Sequence, residues 1–220
     1  MNRLCFEKTG NAVYISHLDL IRIFQRAFRR GGMLLKHSQG YTPHAYISIL
    51  MPLPVGVSSR CEILDFELDE SDATSLSQIP ALLNRTLPAG IRVLGAYESS
   101  RKPRELAYLH AALTLEYDNG VSPETVAAIE QLFAKPEILV KKKTKSGDFI
   151  QQNIQEMIRR CAILPEEGQI VLDCVVCAQN PSLNPMQLVR AIEVHAPQAA
   201  PDFAKCCRLA FLDKAEAPFR

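Results

Sequence analysis

Apolar residues along this chain recur with two different periods, and their order is the first guide to the fold. Residues 3–7 read as a short strand. From Ser16 the spacing changes: Leu20, Ile23, Phe24, Ala27 and Phe28 recur at helical intervals, while Asp19, Arg22, Arg26, Arg29 and Arg30 gather on another side. Ser16 is suited to cap this helix, Asp19 lies near its positive end, and Gly31-Gly32 ends it. Residues 46–51 and 61–68 read as strands. In the second, Leu64, Phe66 and Leu68 alternate against Ile63, Asp65 and Glu67, which places one face in the core. A weaker helix around Leu76, Ile79, Leu82 and Leu83 is interrupted by Pro80 and ends before Pro88-Ala89-Gly90, and residues 91–97 form a further strand.

Ser99-Ser100-Arg101-Lys102-Pro103-Arg104 is polar, basic and broken by proline, which suits a linker, and beyond it the order repeats. Leu109, Ala111, Leu113 and Leu115 alternate in a strand. Ser122-Pro123-Glu124 starts a helix packing through Val126, Ile129 and Phe133. A strand over 137–143 precedes a stretch, 148–163, that reads equally as helix or strand; a strong strand follows over 169–178. Asn184-Pro185 starts a last helix through Leu188, Val189 and Ile192, and residues 207–212 close the chain as a strand. Two βαββαβ units in tandem are the signature of a pair of ferredoxin-like domains, an α+β fold with antiparallel sheets. The expected organisation is an N-terminal domain over residues 1–98, a linker over 99–105 and a C-terminal domain over 106–220.

Composition narrows the setting. With 220 residues and 47% apolar content the chain can bury two small cores. It shows no apolar leader and no stretch long enough to span a membrane, so a cytoplasmic protein is expected. Seven cysteines without paired spacing, apart from Cys174/Cys177 and Cys206-Cys207, suit reduced and mostly buried thiols. On a strand, Cys174 and Cys177 would point to opposite faces. There is no HExxH, no CxxxCxxC, no Walker A loop and no GxGxxG after a strand, so no metal or cofactor is expected in this chain.

With a net charge of only +1, affinity for nucleic acid must come from local clusters. Three exist: the arginine face of Arg22, Arg26, Arg29 and Arg30; the run Lys141, Lys142, Lys143 and Lys145; and Arg101, Lys102 and Arg104. They suit phosphate contacts that position a nucleic acid without reading its bases. Next to the arginine face, Ser38, Gln39, Gly40, Tyr41, Pro43 and His44 form a dense set of donors and acceptors that could hold a phosphate or a ribose. A bland alternative is a turn whose polar groups satisfy its own backbone. His17 and His44 are candidates for a general acid and base.

The segments 14–20 (YISHLDL), 38–44 (SQGYTPH) and 53–57 (LPVGV) resemble, in order and spacing, the bacterial radical SAM-linked protein family, a domain of unknown function. The resemblance implies a partner: a radical SAM enzyme, encoded beside or fused to such a domain, that uses an iron–sulfur cluster and S-adenosylmethionine. Two positions depart from the family pattern, Thr42 where asparagine is common and Ala45 where a second proline is common. The tandem ferredoxin-like reading is also similar to CRISPR RNA-processing endonucleases, an analogy of expected fold alone.

Three functions follow as expectations. The first is a non-catalytic accessory protein that binds RNA, or an RNA-containing substrate, alongside a radical SAM enzyme. On this view the 38–44 loop, Arg22, Arg26 and Arg29 form the binding surface together with Lys141 and Lys143. The second is a metal-independent ribonuclease using histidine acid–base catalysis. The third is a protein-interaction module with no nucleic-acid role.

Overall fold

The two periods resolve into a mixed α/β fold whose strands pair antiparallel, given by a computed structural model over residues 1–143 and 147–220. The chain divides into two compact units, Met1–Pro103 with Arg220, and Arg104–Phe219. In the first, β1 (Asn2–Lys8) leads through a 3-10 turn (Gly10–Tyr14) into α1 (His17–Arg30). β2 (Ile47–Ile49), β3 (Val57–Phe66), α2 (Ile79–Asn84) and β4 (Ile91–Glu98) follow. The strands lie in the order β4-β1-β3, with β2 paired on β3. α1 closes the core of this unit by burying Leu20, Phe24, Ala27 and Phe28. Phe24 meets Phe6 edge-on at 4.8 Å between ring centres and Phe28 meets Phe66 at 5.0 Å. Each such side chain contributes roughly 1.5–3 kcal/mol through burial alone.

The structure corrects three local expectations here. The strand over 46–51 contracts to Ile47–Ile49, because the Tyr46 N–H is diverted to the Lys36 carbonyl at 2.8 Å. Residues 62–66 of β3 are buried on both faces, not one, since Asp65 is covered together with its partner Arg3. Pro80 does not interrupt α2. It sits in the first turn, where a missing N–H breaks no helical hydrogen bond, so it helps define the start of a helix only six residues long.

The second unit contains β5 (Leu106–Glu116), α3 (Pro123–Phe133), β6 (Leu139–Lys143), β7 (Phe149–Asn153), β8 (Ile158–Glu166), β9 (Gln169–Cys177), α4 (Met186–His195) and β10 (Phe203–Asp213). Its sheet runs β10-β5-β9-β8, while among the described residues β6 and β7 pair only with each other. The strand expected over 137–143 is therefore one arm of an inserted hairpin, and the ambiguous stretch after it supplies both β7 and most of β8. Asn153 ends the hairpin: its side-chain oxygen accepts from the N–H groups of Ile138 and Gln155, and the chain turns there through a 3-10 turn (Gln155–Met157). Ser122 caps α3 by accepting from the Thr125 N–H, and Asn184 accepts from the Met186 N–H at the start of α4. Among the described residues, no helix is long and apolar enough to cross a membrane.

One buried ion pair ties the first unit across its sheet. Arg3 on β1, fully buried, faces Asp65 directly across on β3 and donates through Nε at 2.6 Å and Nη2 at 3.1 Å. The same guanidinium reaches the Ser99 hydroxyl and the Arg101 carbonyl, which fastens residues 99–101 beside it. Replacing Asp65 by Ala should leave a buried cation and lower unfolding stability by about 3–5 kcal/mol, whereas Arg3→Met with Asp65→Leu should recover most of that loss. Urea denaturation of the three proteins measures it.

Candidate functional site

The arginine face of α1 starts from a well-fixed helix end. Lys8, fully buried at the end of β1, donates from Nζ to the carbonyls of Val13 at 3.0 Å and Ile15 at 2.8 Å, which holds the 3-10 turn in place. Ser16 then caps α1 by accepting from the Asp19 N–H, and its hydroxyl donates back to the Asp19 carboxylate at 2.7 Å. Hydrogen bonds from Ser16 and then Arg22 hold that carboxyl below its ordinary range. Arg22 is thus engaged by Asp19, and Arg30 donates to the Thr86 carbonyl at 2.7 Å. Arg26 and Arg29 lie between them.

The 38–44 segment is an ordered turn on a hydrogen-bonded base. Leu35 bridges to Leu68, the Lys36 N–H donates to Glu67, and His37 bridges to Ala45. The Ser38 N–H donates to the His44 carbonyl at 2.8 Å, and the His44 N–H donates to the Ser38 hydroxyl at 3.0 Å. Self-satisfaction by the loop therefore holds for Ser38 and the backbone of His44. Gln39, Gly40, Tyr41, Thr42 and Pro43 are exposed at the tip, where Gly40 takes a left-handed φ of +132°. Asp72 anchors the other side by accepting from the Leu34 N–H at 2.6 Å and the Thr74 N–H at 2.8 Å.

Between α1 and this loop lies a cleft of about 800 Å³. Its floor is apolar, with Phe28, Met33 and Leu35, and its polar wall brings together Arg26, Arg29, His37, His44 and Asp69. The Asp69 carboxyl is held low by the Ser71 hydroxyl and N–H. His37 Nδ1 lies 2.8 Å from the Leu35 carbonyl; since a carbonyl only accepts, Nδ1 is the donor and Nε2 takes no part in that bond. The cleft offers two guanidinium forks, suited to bidentate contact with a phosphate, beside two imidazoles.

The remaining sequence candidates lie elsewhere. Ser38, Gln39, Gly40, Tyr41 and Arg22 do not line the cleft, although Pro43 does. His17 begins α1, roughly 13 Å along the helix axis from Arg26 at 1.5 Å per residue, and is not part of the cleft either. Its Nδ1 is buried without a hydrogen-bond partner. The residue just before the 14–20 segment meets the 53–57 segment, because the Gly56 N–H donates to the Val13 carbonyl at 2.9 Å. Lys141 is exposed on β6 of the second unit, Lys143 pairs in register with Phe149, and Lys145 lies outside the described residues. His37 and Asp69 were missed in the sequence. The available signal for His37 was its position immediately before the motif, but a single bridge to Ala45 carries no periodicity.

Among the described residues, no group of three or more His, Cys, Asp or Glu could hold a metal ion. Cys174 is buried and donates to the Ala111 carbonyl, Cys177 is partly exposed, and burial pushes the Cys161 and Cys206 thiols up to about 12.

The fold class defined by these elements is mixed α/β with a mostly antiparallel sheet. The chain belongs to DUF2344, a family described as an uncharacterized protein conserved in bacteria, whose profile matches residues 2–185. No curated protein matches it. Among solved structures it is similar to a chain of a Cbf5–Nop10–Gar1 complex, with a TM-score of 0.51 and 8% identity over 96% of this chain and 48% of that one. It is also similar to a chain of the archaeal box H/ACA sRNP Nop10–Cbf5 complex, with a TM-score of 0.41 and 12% identity over 94% and 46% of the two chains. This chain therefore spans about half the length of both.

The loop base gives a pH test. Partial burial pushes the Asp72 carboxyl up, but hydrogen bonds from Thr74 and Leu34 outweigh it and leave the group below its ordinary value of 3.8. A depressed carboxyl stabilises the fold above its unfolded value, and the contribution is lost as pH falls through the folded one. The Leu34 amide resonance should therefore titrate below pH 3.8. In Asp72→Asn that titration should vanish, and Leu34 should exchange its amide proton faster at neutral pH; both are read by NMR.

Proposed function

We propose that this protein is an accessory factor that binds RNA, or an RNA-containing substrate, and works beside a radical SAM enzyme that supplies the chemistry. The observation that carries the RNA reading is the convergence of Arg26 and Arg29 with His37 and His44 on one cleft. Guanidinium groups over an apolar floor suit a phosphate with a base or ribose packed beneath it. The radical SAM partner, with its iron–sulfur cluster and S-adenosylmethionine, rests on the resemblance carried by residues 14–20, 38–44 and 53–57. The likeness to solved structures bears on fold alone and adds no weight to either part.

The same reading takes each unit as a ferredoxin-like domain, over residues 1–98 and 106–220 about a linker at 99–105. The strand orders β4-β1-β3-β2 and β10-β5-β9-β8, each from a β-α-β-β-α-β chain once the β6–β7 hairpin is set aside, support it.

The presence of two imidazoles at the cleft favours one alternative, a metal-independent ribonuclease. Its acid–base pair would then be His44 with His37, whose Nε2 is the free ring nitrogen.

Titrations across a salt series test the first reading. Wild-type protein should retain RNA at low salt, and the Arg26→Ala/Arg29→Ala double variant should lower the slope of log affinity against log salt by about 1.4–1.8, at 0.7–0.9 per phosphate contact. An unchanged slope would remove the cleft from the binding surface. Incubation of structured RNA without metal tests the alternative: cleavage that persists undiminished in both His37→Ala and His44→Ala sinks the ribonuclease.

A further inference from the structure

The β6–β7 hairpin is fixed at its base and open to solvent at Phe149 and Ile150. At its base, Ile138, Val140 and Ile154 are buried, Leu139 offers its carbonyl to His195 Nε2 at 2.7 Å, and Gln155 donates to the Phe133 carbonyl. Among the described residues, both arms pair only with each other. Toward the far end, two successive residues on β7 are open to solvent, Phe149 at 68% and Ile150 at 50%. Successive strand residues point to opposite faces, so neither face is covered there by the rest of its unit. An exposed phenyl ring held on an anchored ribbon gives this unit no core packing.

The sequence of the two arms is basic. The ten paired residues, LVKKK and FIQQN, include three lysines and no carboxylate, with Asp148 the single acid immediately before them. Lys141 pairs with Gln151, which lies two residues from Phe149 on the same face of the ribbon. An aromatic surface beside lysine and a side-chain amide matches an unpaired nucleotide: the base stacks, the ammonium meets its phosphate, and the amide reaches polar groups of base or ribose. A duplex presents no free base face to such a ring.

We infer that the β6–β7 hairpin is a second RNA contact, in which Phe149 is a stacking platform for an unpaired base and Lys141 meets the adjoining phosphate. The inference rests on the RNA-binding reading above and gives it a substrate class, single-stranded or looped RNA. Because the chain contains no tryptophan, Phe149→Trp places one reporter at the platform. Its fluorescence should be quenched by a short uridine-only oligonucleotide and much less by a fully paired RNA duplex. Phe149→Ala should lose about tenfold or more in affinity for the oligonucleotide with its salt slope unchanged, while Lys141→Ala should lower that slope by about 0.7. Wild-type affinity in Phe149→Ala, or an unquenched tryptophan in protein that still binds the oligonucleotide, overturns the inference and leaves the cleft reading standing. Failure of the wild-type chain to bind any RNA at low salt removes both. A blue shift of the tryptophan with phosphatidylserine vesicles, and no response to RNA, would reassign the hairpin to a membrane surface.

Discussion

The arrangement of the cleft depends on how α1 is rotated about its axis. Phe24 against Phe6 and Phe28 against Phe66 admit one orientation, because turning the helix would expose both rings and bury a guanidinium in their place. Once the aromatic stripe is seated, Arg26 and Arg29 have no freedom to choose a direction. They face the turn that carries His37 and His44, and the apolar residues below them become the floor of a pocket. The hydrophobic core of the unit and its polar cleft are thus two sides of one helix.

Buried charge defines the edges of the same unit. The Arg3–Asp65 pair adds little net stability over an apolar pair of similar size, since desolvation offsets most of the attraction, and Lys8 is buried as deeply. Their contribution is to specify geometry. Lys8 gathers two carbonyls of the 3-10 turn and so sets where α1 begins. Arg3 does the same for the strand exit at residues 99–101, where a flexible polar segment would otherwise have several places to lie.

Much of this was legible in the sequence wherever one period ran long enough. α1 announced itself through five apolar residues and a cap, and β5 through four alternating ones; both elements occur at those residues. Legibility failed where hydrogen bonds, not burial, decide the path. β2 is short because its flanking residue pairs with residue 36, a contact between segments with no pattern of their own. The hairpin and β8 share a run without a dominant face, and Asn153 divides them by its side chain. Of the four helix arginines, sequence could group them on one side but could not see that Asp19 and Thr86 engage the outer two. His17 and His44 are linked in the sequence only as two imidazoles within quoted motifs; of the two, His44 lines the cleft.

Because β6 and β7 pair only with each other, their register is set within ten residues and owes nothing to the strand order of the main sheet. A substitution in either arm can therefore be absorbed without shifting β8 against β9. Mechanically the hairpin is an appendage, joined to its unit through contacts at its base and not through the register of the larger sheet.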